Sequence, residues 1–293
     1  MTLPMALVLL AALMPGQDVL VFEANTAAVY VDVFVTRDGE PVRGLSAGQF
    51  DVLDEGVRQN LEMVSLEDVP LDVFLVFDVS KSLRGERLED LRRAARVVLA
   101  ELRPGDRAGL VTFSDEVRLA VPPTSDLDVL GDALTKLDAG GTTSLHDALF
   151  ATLVLGGGPG RGVAIVFSDG EDRTSWLSER EILDAAEESN VLLHGVGILP
   201  GAGTPADDAR ERPEPAELRF LNRLTEATGG ALWLAASTED LEATFRRVLE
   251  AMHNRYVLRF EPRTFKPGRH RLTVKLKGVE ADVRSRPSYF VAR

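Results

Sequence analysis

Three oxygen-bearing side chains stand at alternate positions in residues 78–82, in a spacing that suits a cation site. Asp78, Ser80 and Ser82 directly follow a nearly continuous apolar run at residues 71–77. In an extended chain, alternate side chains point to the same side, so one carboxylate and two hydroxyls converge. This spacing predicts a cluster of oxygen ligands immediately after a buried strand.

Two further segments offer oxygen ligands where the chain is expected to leave a strand or enter a helix. Residues 140–144 (GGTTS) open a helical pattern, and residues 168–170 (SDG) follow a second apolar run. Thr142 and Asp169 can join the first cluster, and because the threonine is doubled, Thr143 is a rival to Thr142. The set contains no nitrogen or sulfur ligand, which favours Mg²⁺, with Mn²⁺ or Ca²⁺ as alternatives. The predicted metal ligands are Asp78, Ser80, Ser82, Thr142 and Asp169.

The charge of this set predicts what the cation would bind. Its two carboxylates, Asp78 and Asp169, at most neutralise a dication, and the hydroxyls add no net charge. If either carboxylate acts through water, the cation keeps an electrophilic face that a carboxylate of another molecule can occupy. No obvious general base is present. We therefore expect a non-enzymatic site that docks an acidic side chain, with a protein partner offering Asp or Glu.

Each segment also has a simpler structural explanation. Ser80 or Ser82 would cap a helix beginning near Gly85, residues 142–144 would cap the helix that follows them, and residues 169–170 would form a turn. Each explanation is plausible by itself. The presence of all three segments at functional edges, with complementary ligand types, favours the metal site.

The elements that must position these residues alternate between strands and helices over residues 69–253. A continuous apolar run, as at residues 71–77, is typical of a parallel strand that is buried on both faces. The pattern predicts an α/β fold with a doubly wound, mostly parallel sheet, whose ligand sites lie at the carboxyl ends of its strands. Predicted strands lie at 71–77, 108–113, 163–167, 191–198 and 231–235, and predicted helices at 88–102, 127–137, 144–155, 178–189, 216–228 and 239–252.

The two ends of the chain have a different, strand-like texture. Residues 17–68 contain alternating apolar runs at 29–35 and 57–64, and residues 254–293 contain further short runs. Each end is too small to hold a core alone. We therefore predict that they pack together as one small β-sandwich into which the α/β domain is inserted.

The N-terminus predicts export. Residues 5–14 (MALVLLAALM) are uncharged and apolar, too short to span a bilayer but suited to a secretory signal, which we place at residues 1–16. The alternative is a buried first strand or a disordered tail, since no basic residue precedes Arg37 and residues 15–17 are a poor cleavage site. We expect an exported protein, in the periplasm, in the cell envelope or secreted, with no membrane span in the mature chain.

The composition excludes several classes of protein. The 293 residues contain no cysteine, which excludes disulfide scaffolds, zinc ribbons and cysteine nucleophiles. With 33 Lys and Arg against 46 Asp and Glu, the net charge is −13. Binding to nucleic acid or to an anionic membrane needs a basic face, so we expect neither as a partner.

The three ligand segments resemble the metal-ion-dependent adhesion site of von Willebrand factor type A domains. The order of features is similar to that of the bacterial family of VWFA-related exported proteins, and the resemblance covers nearly the whole chain. Its other motifs are residues 39–45 (GEPVRGL) with Phe50, 103–107 (RPGDR) with 112–113 (TF), 255–256 (RY) and 285–289 (SRPSY). The resemblance implies that Ser80, Ser82 and Thr142 are direct ligands, and that Asp78 and Asp169 act directly or through water.

An enzymatic alternative is a Mg²⁺-dependent phosphatase that resembles the haloacid dehalogenases, with Asp78 as nucleophile. It needs a second Asp two residues later as general acid and base, and this chain has Ser80 there. We interpret the four histidines, His146, His194, His253 and His270, as structural.

Two loops are expected to leave the same edge of the sheet as the metal site. In the first, Trp176 is either an interface anchor or a side chain that packs under its loop. In the second, residues 200–215 are rich in Pro, Gly and charge, and we expect them to border the site.

Overall fold

A computed structural model describes residues 28–64, 70–156, 161–169, 171–198, 218–263 and 266–291. The predicted signal peptide at 1–16 and the loop at 200–215 lie outside the described residues. In the part of the chain that is described, no helix is both long and apolar enough to cross a bilayer.

The described residues form strands and helices that we number in chain order. The strands are β1 Val29–Arg37, β2 Glu40–Pro41, β3 Phe50–Asp54, β4 Val57–Arg58, β5 Glu62–Val64, β6 Leu71–Asp78, β7 Arg107–Phe113, β8 Val117–Thr124, β9 Arg161–Phe167, β10 Leu192–Ile198, β11 Leu232–Ala235, β12 Arg255–Phe260, β13 Gly268–Leu276, β14 Asp282–Arg284 and β15 Ser288–Val291. The helices are α1 Glu86–Ala100, α2 Leu127–Thr135, α3 Leu145–Leu155, α4 Glu179–Glu188, α5 Leu218–Thr228 and α6 Leu241–His253.

The central sheet has the order β11-β10-β9-β6-β7-β8. Neighbouring strands are parallel, except that β8 runs antiparallel to β7 at one edge. Both faces are covered, because α1, α2 and α6 pack in one hydrophobic cluster and α3, α4 and α5 in the other. The prediction of a doubly wound, mostly parallel α/β sheet is confirmed for the described residues.

One strand of this sheet, β8, was not predicted from the sequence. The edge strand β8 leaves most of its residues exposed or half-buried, and only Val121 is buried. A strand with one open face and Pro122-Pro123 in it lacks the continuous apolar run that marks β6. Its antiparallel direction follows directly from the short connection after β7.

The chain changes direction across the sheet at β6. From β6 it proceeds to β7 on one side, and it later returns to place β9 on the other side of β6. The loop after β6 therefore leads to α1 on one face, and the loop after β9 leads to α4 on the other. Such a switch point opens a crevice beyond the carboxyl ends of the strands, which we call the carboxyl edge.

The two chain ends build two further antiparallel sheets together. One has the order β14-β1-β12-β5, with β2 paired to β1, and the other has the order β15-β13-β3-β4. Each contains strands from before and after the α/β unit. A shared apolar cluster includes members of both sheets, among them Val33, Phe50, Leu258 and Leu272.

The alternating run at residues 57–64 forms two short strands in different sheets. Val57–Arg58 pairs with β3 in one sheet, and Glu62–Val64 pairs with β12 in the other. The chain crosses between the two sheets at residues 59–61, where the backbone N–H of Gln59 donates to Val52 O at 2.9 Å. Alternation of apolar residues survives this crossing, so periodicity alone did not reveal it.

A charged cluster joins the β1–β12 sheet to the α/β unit. Asp32 on β1 forms ion pairs with Arg161 at the start of β9 and with Arg255 at the start of β12, the latter at 3.6 Å. The buried Arg255 also donates to Gly229 O at 2.7 Å. Burial alone would raise the pKa of Asp32, but the charges of Arg161 and Arg255 and a hydrogen bond from Arg161 hold it below its ordinary value.

Candidate functional site

The first part of the site is the loop that leaves β6. Asp78 ends the strand and is fully buried. Its Oδ1 accepts a hydrogen bond from the backbone N–H of Ser80 at 2.8 Å, and the hydroxyls of Ser80 and Ser82 lie 3.0 Å apart. Ser80 precedes a short 3₁₀ turn, but its side chain makes no capping hydrogen bond, and α1 begins after Gly85. The capping explanation therefore does not account for the two serines.

The loop that leaves β9 brings the second carboxylate to the first. Ser82 Oγ lies 3.5 Å from Asp169 Oδ2, and Ser168 Oγ donates to Asp78 Oδ2 at 3.4 Å. The other oxygen of Asp169 accepts from the backbone N–H of Glu171 at 3.2 Å, so the turn explanation applies to that oxygen only. Asp78, Ser80, Ser82 and Asp169 are thus brought together across the switch point, as predicted.

The negative charge of Asp78 and Asp169 is not compensated by a salt bridge among the described residues. Burial, together with the nearby charge of Asp169, raises the pKa of Asp78 to about 6, against hydrogen bonds from Ser80 and Ser168. Burial and the charge of Glu171 likewise raise the pKa of Asp169, although Arg173 acts in the opposite direction. Within the described residues, neither Asp78 nor Asp169 forms a salt bridge.

The third ligand segment lies alongside the first. The N–H of Gly140 donates to Val79 O at 2.8 Å, and the N–H of Lys81 donates to Gly141 O at 3.2 Å. These backbone bonds bring the loop that carries Thr142 to the loop that carries the serines.

The two threonines of this segment have different environments. Thr142 is exposed, and its hydroxyl donates to Asp115 Oδ1 at 2.6 Å and contacts Thr174 Oγ1 at 3.1 Å. Thr143 is buried, and its carbonyl accepts from the N–H groups of Arg173 and Thr174. Of the two, Thr142 has the more open hydroxyl, although in the described residues no hydrogen bond links that hydroxyl to Asp78, Ser80, Ser82 or Asp169.

Asp115 is a member of this edge that the sequence analysis missed. It follows β7 by two residues, and hydrogen bonds from the hydroxyl and the N–H of Thr142 keep its pKa below the ordinary value. Gly141 is required beside it, because a Cβ there would stand 2.2 Å from Asp115 Oδ2 and because its φ is +80°. The position of Asp115 after a strand was the available signal.

The residues that are present suit a hard divalent cation. The buried carboxylate of Asp78, the half-buried carboxylate of Asp169 and two hydroxyls converge without a salt bridge among the described residues, and Thr142 lies on the adjacent loop. In the described ranges, no group of three or more His, Cys, Asp or Glu side chains is placed to hold a metal. A cation at this edge would therefore depend on hydroxyl ligands, which are suited to Mg²⁺ and not to Zn²⁺ or Cu²⁺.

The histidines make structural contacts. His194 accepts hydrogen bonds from the N–H of Ala231 and from Trp233 Nε1, at 3.3 and 3.2 Å. His146 Nδ1 lies 3.0 Å from Leu177 O, and His270 Nε2 lies 2.7 Å from Lys266 O. These positions support the structural interpretation of the three side chains.

Comparisons with known proteins concern the domain that carries this site. Residues 73–171 match the family model of the von Willebrand factor type A domain. A UPF0353 protein of Mycobacterium bovis (strain BCG / Pasteur 1173P2) is 27% identical over an alignment of 197 residues, which covers 59% of this chain and 58% of that relative. The chain thus spans little more than half the length of this curated relative.

Solved structures match the fold. A von Willebrand factor type A protein from Catenulispora acidiphila has a TM-score of 0.52 at 14% identity, over 83% of this chain and 73% of that one. Proximal thread matrix protein 1 from the mussel byssus has a TM-score of 0.51 at 16% identity, over 74% of this chain and 51% of that one. The matches give no support to the phosphatase alternative. By its matched residues and its fold, the chain is a protein related to the von Willebrand factor type A domains.

Proposed function

We propose that this chain is a metal-dependent protein-binding module, without catalytic activity, that docks an acidic side chain of a partner on Mg²⁺. The observation that carries this function is the pair of carboxylates, buried at Asp78 and half-buried at Asp169, which meet across the switch point without a salt bridge in the described residues. Withdrawing carboxylates from water without a compensating charge is unfavourable, so this pair favours a site that a bound cation completes.

Each residue has a definite part in this function. Asp78, Ser80, Ser82 and Asp169 would hold the cation, and Thr142 would join them from the neighbouring loop. A bound Mg²⁺ would supply a positive site for an incoming carboxylate. Asp115 keeps the Thr142 loop in place through its two hydrogen bonds, which makes it a positioning residue.

The two end sheets and the N-terminus complete the proposal. Their shared apolar cluster supports a small β-sandwich, formed by both chain ends, that carries the α/β unit. The apolar residues 5–14 support export to the periplasm, the cell envelope or the medium.

The test is calorimetric titration of Mg²⁺ into the wild type and into two variants, Asp78→Ala and Ser82→Ala. We expect binding to the wild type, no binding to Asp78→Ala, and weakened binding to Ser82→Ala. Asp128→Ala, which removes an exposed carboxylate in the first turn of α2, is the matched control and should bind as the wild type does.

Partner capture from the source cell envelope should then depend on Mg²⁺ and be lost in chelator. If Asp78→Ala retains both metal binding and partner binding, the cluster is structural and the proposed function is wrong.

A further inference from the structure

The strongest unexplained feature of the surface is Trp176. Its side chain is 94% exposed, so it does not pack under its loop. A tryptophan fully open to water exposes a large apolar surface, and aromatic residues of this kind are enriched among the anchors of protein interfaces.

The loop that carries Trp176 is held firmly. The N–H groups of Trp176 and Leu177 both donate to the carboxylate of Asp147, at 3.1 to 3.2 Å. Ser175 Oγ donates to Asp172 Oδ1 at 2.6 Å, and Leu177 packs against the apolar cluster under α3. An aromatic side chain on an ordered backbone loses little conformational entropy on binding.

The position of Trp176 places it beside the proposed metal site. Thr174 contacts the hydroxyl of Thr142 at 3.1 Å, and Trp176 follows two residues later, within about 7 Å along the chain. Exposed apolar side chains also lie on α3, the helix whose Asp147 holds the Trp176 loop. Phe150 and Val154 are 38% and 62% exposed and lie three and seven residues after Asp147, on one face of the helix.

The charges around Trp176 are acidic. Four arginines on this loop and on β8, α4 and α5 are paired with acids: Arg118 with Glu116, Arg173 with Glu171, Arg180 with Asp184, and Arg223 with Glu179. The carboxylates of Asp115, Asp147 and Asp172 remain without an arginine or lysine partner among the described residues. His146 lies 3.7 Å from Asp172.

The opposite side of the site carries three basic residues, next to Glu86 and Glu89 in the first turn of α1. Lys81, Arg84 and Arg87 lie in the loop and first turn toward α1, where Arg84 donates to Ala139 O and Arg87 to Ser82 O. A partner that places an acidic group on the metal would therefore meet negative charge on the Trp176 side. Complementarity requires a positive group there, and a cation over an indole ring is the favourable contact.

We propose that Trp176 is the anchor that selects the partner, through an Arg or Lys that lies over its indole ring next to the acidic side chain on the metal. The occupant is a protein segment that carries an acidic and a basic residue close together, with the apolar face of α3 alongside. This inference rests on the proposed metal-dependent docking.

The test uses a library of random twelve-residue peptides displayed on phage. The library is selected on the full chain in Mg²⁺ and eluted with EDTA. We expect eluted peptides to contain Asp or Glu near Arg or Lys. A synthetic peptide of the enriched sequence should bind Trp176→Ala about tenfold more weakly than the wild type. Trp176→Phe, which keeps an aromatic ring, should show only part of this loss of affinity. Trp176→Leu keeps apolar area but no ring, and it should bind as weakly as Trp176→Ala.

A double-mutant cycle identifies the contact. Replacing the basic residue of the peptide by Gln should weaken binding to the wild type and should cause little further loss on Trp176→Ala. Val129→Ala, which truncates an exposed apolar side chain of α2 on the other face of the sheet, is the control and should leave binding unchanged.

The outcomes separate this inference from the function on which it rests. If Trp176→Ala binds as the wild type does while Asp78→Ala does not bind, the anchor is wrong and metal-dependent docking stands. If Trp176→Leu binds as the wild type does, the cation over the ring is wrong. If peptides bind Asp78→Ala equally well, or if the library yields no Mg²⁺-dependent binder, the proposed function fails and this inference fails with it.

Discussion

Two aspartates at opposite ends of the central sheet have opposite electrostatic surroundings. Asp32 is compensated by Arg161 and Arg255, and its pKa is lowered, whereas Asp78 meets a second carboxylate, and its pKa is raised to about 6. Along β9, Arg161 and Asp169 mark these two ends, roughly 26 Å apart at the rise of a parallel strand. A buried carboxylate that the fold has neutralised is structural, while one that it has left uncompensated is where an external cation is expected.

The largest effect on stability should follow from removing the charge of Asp32, which compensates Arg161 and Arg255. Asp32→Asn leaves the buried Arg161 and Arg255 without their acid, so the free energy of unfolding should fall by about 3 kcal/mol in urea denaturation. Glu62→Gln, which breaks the exposed pair with Arg259, is the control and should change it by less than about 1 kcal/mol. If Asp32→Asn lowered the free energy of unfolding by an equally small amount, the surroundings of Asp32 and Asp78 would not differ in charge compensation.

Adding Mg²⁺ should stabilise the folded protein through the uncompensated carboxylates of Asp78 and Asp169. A ligand that binds only the folded state at about 100 times its Kd adds about 2.7 kcal/mol to the free energy of unfolding. Thermal unfolding of the wild type in Mg²⁺ and in chelator measures this gain, which should be smaller in Ser82→Ala. An unchanged unfolding temperature of the wild type at saturating Mg²⁺ would contradict the metal site.

The substitution of Asp by Asn at Asp78 should change the free energy of unfolding in the opposite direction from Asp32→Asn, when it is measured in chelator. Asp78→Asn removes a buried charge that has no cation, so the free energy of unfolding should rise, by about 1–2 kcal/mol. In Mg²⁺ the variant should lose the gain that the wild type shows. Destabilisation in chelator, as expected for Asp32→Asn, would show that the Asp78 carboxylate is satisfied by the fold alone.

A pH-dependent effect concerns His194, which lies near Arg255 and Asp32. Burial and the charges of Arg255 and Arg284 lower the pKa of His194 from 6.5 to about 3, so the folded state keeps it neutral. As the pH falls from 6.5 toward 3, the unfolded state takes up a proton that the folded state refuses, and stability is lost. The slope is at most about 1.4 kcal/mol per pH unit.

His194→Asn, which keeps an acceptor near Nδ1, should remove this slope. Urea unfolding of both proteins at pH 6.5, 5.5 and 4.5 measures the difference, in which contributions of the other histidines cancel. Parallel pH profiles for the two proteins would show that His194 titrates normally.

Most of the α/β elements, and the proximity of Asp78, Ser80, Ser82 and Asp169, could be predicted from the sequence, because they depend on local patterns. The apolar run before Asp78 marks a strand buried on both faces, and the loop after such a strand lies at the carboxyl edge. β8 could not be read, because an edge strand with an open face has no such run. The crossing at residues 59–61 was missed because alternation continues through it.

The pairing partners of the charged residues also could not be predicted from the sequence. Asp32 and Arg161 are 129 positions apart, and nothing in the local pattern of either residue indicates that they meet. Asp115 was missed for the same reason, since its partner Thr142 comes from another loop.

By itself, the sequence determined the alternation of strands and helices, the convergence of Asp78, Ser80 and Ser82, and the absence of cysteine chemistry, because these follow from residue type and spacing along the chain. Only the tertiary structure decided which carboxylates are compensated, that Trp176 is open to water, and that Thr142 and Thr143 differ in exposure. Burial and charge pairing are properties of neighbours in space, and those neighbours come from distant parts of the chain.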